Sequence, residues 1–143
     1  MRQFTRPDTV NRQLVNGGFT DLAIPWDRQE KDQPTLYRVD GFSTRPYRTS
    51  DGTLLAVAGA YGPNWLATLA EMNNWLQQPQ AGYTVIGDVP GLGEHEVLVR
   101  WATSDELQPR RAAAAERRAA LRAQERRTQA RRQAEEAGQA SLF

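Results

Sequence analysis

Groups able to move protons or hold a metal are sparse in this sequence. His95 is the only histidine, and there is no cysteine. In an alternating strand from Glu94 to Trp101, His95 would share a face with Val97, Val99 and Trp101. Glu94 and Glu96 would then point the other way, because successive strand side chains alternate. On that reading the trio is no metal cluster, and His95 is a packed or half-exposed structural residue. Asp27, Glu30 and Asp32 form an acidic patch interleaved with Arg28 and Lys31. A divalent-ion nuclease would need such carboxylates, but a solvated surface is the plainer account. The stretch from Gly87 to Gly93 has three glycines without the G-x-G-x-x-G spacing and leads into no helix, so it is a loop rather than a phosphate cradle. No nucleophile–base triad can be assembled, and we assign no catalytic residue, metal or cofactor.

A different chemistry sits near the C-terminus. Arg110, Arg111, Arg117, Arg118, Arg122, Arg126, Arg127, Arg131 and Arg132 punctuate a stretch otherwise made of Ala, Gln and Glu, with one Leu and one Thr. Guanidinium groups at this density suit contact with nucleic-acid phosphates, which is salt-dependent and blind to sequence. The same residues would equally serve a solvated spacer, since Glu116, Glu125, Glu135 and Glu136 make the charge mixed. Nothing stands at base-reading spacing.

Beyond Gly138 come Gln139, Ala140, Ser141, Leu142 and Phe143. A Leu-Phe pair on a polar tail calls for a partner that covers it. The string resembles the peptide by which bacterial replicative and translesion polymerases, mismatch-repair proteins and regulators dock on the DNA sliding clamp, roughly Gln-Leu-(Ser/Asp)-Leu-Phe. Gln139, Ser141, Leu142 and Phe143 match, and Ala140 stands where that family prefers Leu. The resemblance implies an extended peptide across an apolar cleft, with Gln139 at a polar subsite and Leu142 and Phe143 in an apolar pocket. Burying each of those two side chains is worth roughly 1.5–3 kcal/mol before ordering costs. Micromolar affinity, about −8 kcal/mol at most, is the expectation. The resemblance covers five residues and implies nothing about the rest of the chain.

The elements that would carry these groups follow from periodicity. A short helix is expected from about Thr9 to Asn16, stopped by Gly17-Gly18, with Leu22 to Ile24 and Trp26 anchoring an irregular segment. Thr35 to Phe42 alternates, Tyr37 and Val39 against Arg38 and Asp40, as a half-buried strand does. Ser50-Asp51-Gly52 signals a turn into an apolar strand from Thr53 to Ala60. Pro63 suits a first helical residue, and Trp65, Leu69, Met72 and Leu76 make the core stripe of a helix ending near Gln78. Strands at Tyr83–Gly87 and Glu94–Trp101 complete a second hairpin. The expected fold class is α+β: a small antiparallel sheet of two hairpins packed by one amphipathic helix, followed by an extended or helical Arg/Ala-rich tail. Arg110 to Ala137 holds neither Gly nor Pro and favours helix. It shows no heptad seam, and Gly138 is expected to break it.

This gives three segments: a body over residues 1–108, a basic linker over 109–138 that is helical or, with nothing bound, disordered, and the peptide at 139–143. The body carries nine basic and thirteen acidic residues, net −4, against nine and four beyond it, net +5. No apolar run approaches the about 20 residues that span a bilayer, and the N-terminus lacks a signal-peptide core. The expectation is a cytoplasmic, nucleoid-associated, non-enzymatic accessory or regulatory protein of bacterial, phage or plasmid DNA replication or repair. Its partners would be the clamp, DNA through the basic tail and an unidentified protein of the body, with no membrane. Three alternatives compete. One is a single-stranded nucleic-acid binder stacking bases on Trp26, Tyr37, Tyr47 or Trp101. Another is a clamp-delivered small nuclease, and the last is a structural or phage-assembly protein with a helical interaction tail.

Overall fold

An apolar run such as Leu54–Tyr61 needs hydrogen-bonding neighbours on both sides, and in the structure it has them. The computed structural model describes residues 4–141, with side chains through Gly138. It divides into two units, residues 1–103 and residues 104–143. In the first unit, β1 (Gly41–Arg48) pairs antiparallel with β2 (Leu54–Tyr61), and β4 (Glu96–Trp101) joins β2 to β3 (Tyr83–Ile86). The sheet order is β1-β2-β4-β3. The architecture is α+β with an antiparallel sheet, as composition and periodicity implied.

Two helices pack on one face of that sheet. α1 (Pro7–Asn16) buries Val10 and Leu14, and α3 (Trp65–Leu76) buries Leu69, Met72 and Leu76. They meet Phe42, Ala56, Ala58, Ala60, Tyr83, Val97 and Val99 in a single core. Three alanines on the central strand let both helices come close. The expectation of one packing helix is corrected here: α1 reaches the core as well. Its C-terminal end is held by α3, because the Trp75 indole donates to the Gln13 carbonyl at 2.9 Å, an oxygen that also accepts the Gly17 N–H.

The expected strand over Thr35–Phe42 does not form. Residues 34–36 make a 3-10 turn, and the strand starts only at Gly41. Val39 is 60% exposed, so its alternation with Arg38 reflects no buried face. Pro46 hides β1 in the sequence, yet it is harmless in place. Phe42, four residues earlier on the same side of the ladder, turns its N–H and C=O outward to Thr20 and Leu22. Pro46 therefore faces the open edge, where a missing N–H breaks no ladder bond. The β1–β2 turn forms as expected, with the Asp51 carboxylate accepting from the Thr49 hydroxyl and from the Thr53 N–H. Those bonds to the charged form, the one from Thr49 foremost, hold the Asp51 pKa below its ordinary value.

Other boundaries shift. Pro63 precedes α3, which starts at Trp65 behind Asn64. Gly62 allows the tight approach there. Its φ is +110°, and a Cβ would lie 2.5 Å from Asp40 Oδ1, the oxygen that accepts the Asn64 N–H at 2.8 Å. Ile24 is buried and Leu22 donates to Phe42, but Trp26, the first residue of the one-turn α2 (Trp26–Gln29), is 60% exposed and anchors nothing.

The second unit is α4 (Ser104–Ser141), a 38-residue helix, about 57 Å long at 1.5 Å per residue. It starts six residues before Arg110 and continues through Pro109, and Asp105 and Glu106 in its first turn favour the positive end of the helix dipole. Gly138 does not break it. With the boundary at Ser104, residues 1–103 carry nine basic and eleven acidic side chains, net −2, and residues 104–143 carry nine and six, net +3. Among the described residues no helix is long and apolar enough to cross a membrane.

Candidate functional site

Two arrangements hold the chemistry-bearing residues: a buried polar cluster in the first unit and the basic helix in the second. The cluster occupies the sheet face turned away from α1 and α3. Strand alternation points Ser43 and Arg45 of β1, Val57, Gly59 and Tyr61 of β2, and Glu96 and Leu98 of β4 to that side. The segment from Ile24 to Tyr37 is tied down there. Gln29, 1% exposed, donates from Nε2 to Ile24 O at 2.6 Å and Thr44 O at 3.1 Å.

At its centre Arg45 grips Glu96, with Nε to Oε2 at 3.1 Å and Nη2 to Oε1 at 3.3 Å. Both residues are buried. Glu96 also accepts the Gly93 N–H at 3.0 Å, and Arg45 reaches the exposed Glu30 at 3.4 Å. A buried pair of this kind is weak evidence for net stability, but one member left alone would be a bare charge in a poorly solvated place. Gly59 makes room beneath it, since a Cβ there would meet Tyr61 at 3.1 Å and Glu96 at 3.4 Å.

Aromatic rings flank the pair. Tyr61 is fully buried and meets the edges of Tyr37 at 5.2 Å and His95 at 4.9 Å, and Trp65 lies 6.4 Å from His95. His95 does not join Val97, Val99 and Trp101, as the alternation suggested. It precedes β4 in a turn, and its ring leaves the core face for Tyr61. Tyr61 Oη, His95 Nε2 and Gln29 Oε1 are buried without a hydrogen-bond partner among the described residues. Burial, then the nearby Glu96 carboxylate, raises the Tyr61 pKa well above the phenol's ordinary value. Desolvation lowers that of His95, with Glu96 pulling it up and Arg45 pushing it further down. Burial thus favours the protonated phenol and the uncharged imidazole.

The acidic patch is dispersed. Glu30 is engaged by Arg45, Asp32 accepts the Tyr37 hydroxyl at 2.7 Å, and Asp27 lies exposed on α2. Among the described residues no group of three or more His, Cys, Asp or Glu could hold a metal ion. The proposed stacking aromatics do not form a platform either. Tyr37 packs on Tyr61, and Trp101 stacks on Tyr83 with centroids 4.3 Å apart. Tyr47 is half-buried, which leaves Trp26 as the exposed one of the four.

Along α4 the arginines from Arg111 to Arg132 are exposed, and Arg110 is half-buried. Leu121 is 58% exposed, so no apolar contact fixes this stretch. Gln139, Ala140 and Ser141 continue the helical backbone, while Leu142 and Phe143 lie outside the described residues. Sequence reasoning reached the arginines by composition and the terminal peptide by its resemblance to a docking motif. It missed Arg45, Glu96, Tyr61 and Gln29 as a group. Their one visible signal, an Arg on one strand and a Glu on another, is meaningless until the register brings them together.

Compared with protein-family models, with curated proteins and with solved structures, the chain matches none.

Proposed function

We propose that this chain is a non-enzymatic accessory protein of bacterial, phage or plasmid DNA replication or repair, tethered to the DNA sliding clamp through residues 139–143. The observation that carries the reading is the string Gln139-Ala140-Ser141-Leu142-Phe143 next to an exposed, arginine-bearing helix that gives it reach. Residues 139–141 would have to leave their helical conformation to lie extended in a cleft. That step costs little, because the last turn of a helix lacks partners for its carbonyls and Gly138 weakens the helix by about 1 kcal/mol relative to Ala.

Titration of the full chain against a purified bacterial clamp should give a dissociation constant in the micromolar range, near −8 kcal/mol or weaker. Replacing Leu142 and Phe143 together with Ala should remove binding. Unchanged binding by that variant would sink the proposal and favour an assembly protein whose helix meets another subunit.

A further inference from the structure

The arrangement of arginines on α4 carries an inference that does not depend on the clamp. At about 100° per residue, Arg110 to Arg132 occupy an arc of about 260° around the helix and leave about 100° without a guanidinium. Ala112, Ala119, Ala123, Ala130, Ala134 and Ala137 fall in that gap, joined by Glu116. The helix thus carries its arginines on three sides, with Glu125, Glu135 and Glu136 interspersed among them, and is narrow and mostly apolar on the fourth.

Each class of anionic partner asks something different of such a helix. A membrane surface needs a broad apolar face with Trp, Phe or Leu opposite the charges. Residues 104–141 hold no aromatic residue, and their leucines are Leu107 and Leu121. A single strand needs rings on which bases stack, and there are none. An acidic protein surface meets a helix from one side, leaving most of a 260° arc unused. A duplex groove differs, because it presents phosphates on both walls. The major groove of B-DNA is about 12 Å wide and admits an α-helix, whose diameter with side chains is about 10–12 Å.

We propose that α4 seats lengthwise in the major groove of double-stranded DNA, its two arginine flanks gripping the phosphates of opposite walls and its alanine arc facing out. The contact is indifferent to sequence and strongly salt-dependent. Arg118, Arg122 and Arg126 form one flank, and Arg117, Arg127 and Arg131 form the other.

The test uses the full chain and a 20-base-pair duplex, with affinity followed as a function of salt. Changing either flank trio to Gln, which keeps helix propensity, should weaken binding at least tenfold at low salt and reduce the slope of log K against log salt by about 2–3, roughly 0.9 for each lost phosphate contact. The corresponding Lys trios should restore the slope, and Ala119→Gln with Ala130→Gln should leave affinity unchanged. A loss confined to one flank would overturn the groove seat, since a helix lying side-on uses one side only. Equal or tighter binding to a single strand of the same length, or to vesicles of anionic lipid, would also overturn it. All of these readings use DNA or lipid without the clamp, so failure here leaves the tether standing, and failure of the tether leaves this intact.

Discussion

The body and α4 are ordered for opposite reasons. In residues 1–103 almost every element depends on another. α1 is a ten-residue helix that holds through Val10 and Leu14 in a shared core, and β1 tolerates Pro46 only because the ladder does not call on its N–H. α4 has 38 residues and almost nothing buried from Arg111 onward. It is helical because Ala, Arg, Gln and Glu are intrinsically good helix formers over a length well beyond the about 12–15 residues at which isolated helices are marginal. One region trades surface for packing and fixes its side chains. The other keeps its side chains in water and available.

The sharpest way to break that contrast is to remove Glu96. Glu96→Ala leaves the buried Arg45 with only the exposed Glu30 as a partner, and up to about 3–5 kcal/mol should be lost from the body's unfolding free energy in a urea titration. The helical signal of α4 should persist through that transition. Simultaneous loss of both signals would show that the units are not independent in stability.

A smaller effect concerns pH. Folding holds the His95 pKa below its ordinary value of 6.5, so between the two values the unfolded chain binds more protons than the folded one. Stability from this group is present above pH 6.5 and is lost as pH falls toward the folded value. His95→Phe should flatten that acid-side decline in thermal unfolding midpoints taken from pH 7.5 downward. An unchanged decline would assign it to other groups.

The smallest effect belongs to the helix. Ala119→Gly should cost about 1 kcal/mol of local helix stability, visible as lost ellipticity at 222 nm, with the body's unfolding midpoint unmoved. A shifted midpoint would mean that α4 contributes to the core.

The two regions also differ in how far the sequence discloses them. α3 was legible because Leu69, Met72 and Leu76 repeat at helical spacing and all face the core. β2 and the β3–β4 hairpin were legible from apolar runs and turn residues. β1 was not, since Pro46 counts against a strand until the register shows which way its nitrogen points. The alternation of Tyr37 and Val39 misled, because period-two patterning also arises where a loop lays one ring on a neighbour and leaves the next side chain in water. Arg45 and Glu96 are 51 positions apart, and no local rule couples them. In α4 the composition favours helix strongly enough to override punctuation: Pro109 and Gly138 both lie inside it, at a cost that the good helix formers between them absorb.

Gly138 has one more consequence, for any partner that takes residues 139–143 in extended form. While the last turn is wound, the peptide is a closed conformer, and measured affinity is the intrinsic affinity scaled by the fraction unwound. Helix ends wind and unwind in about nanoseconds per residue, far faster than proteins meet by diffusion, so closure lowers occupancy without delaying capture. A glycine at the base of that turn acts as a thermodynamic dial, and changing it would reset how often such a partner is held while leaving the speed of capture untouched.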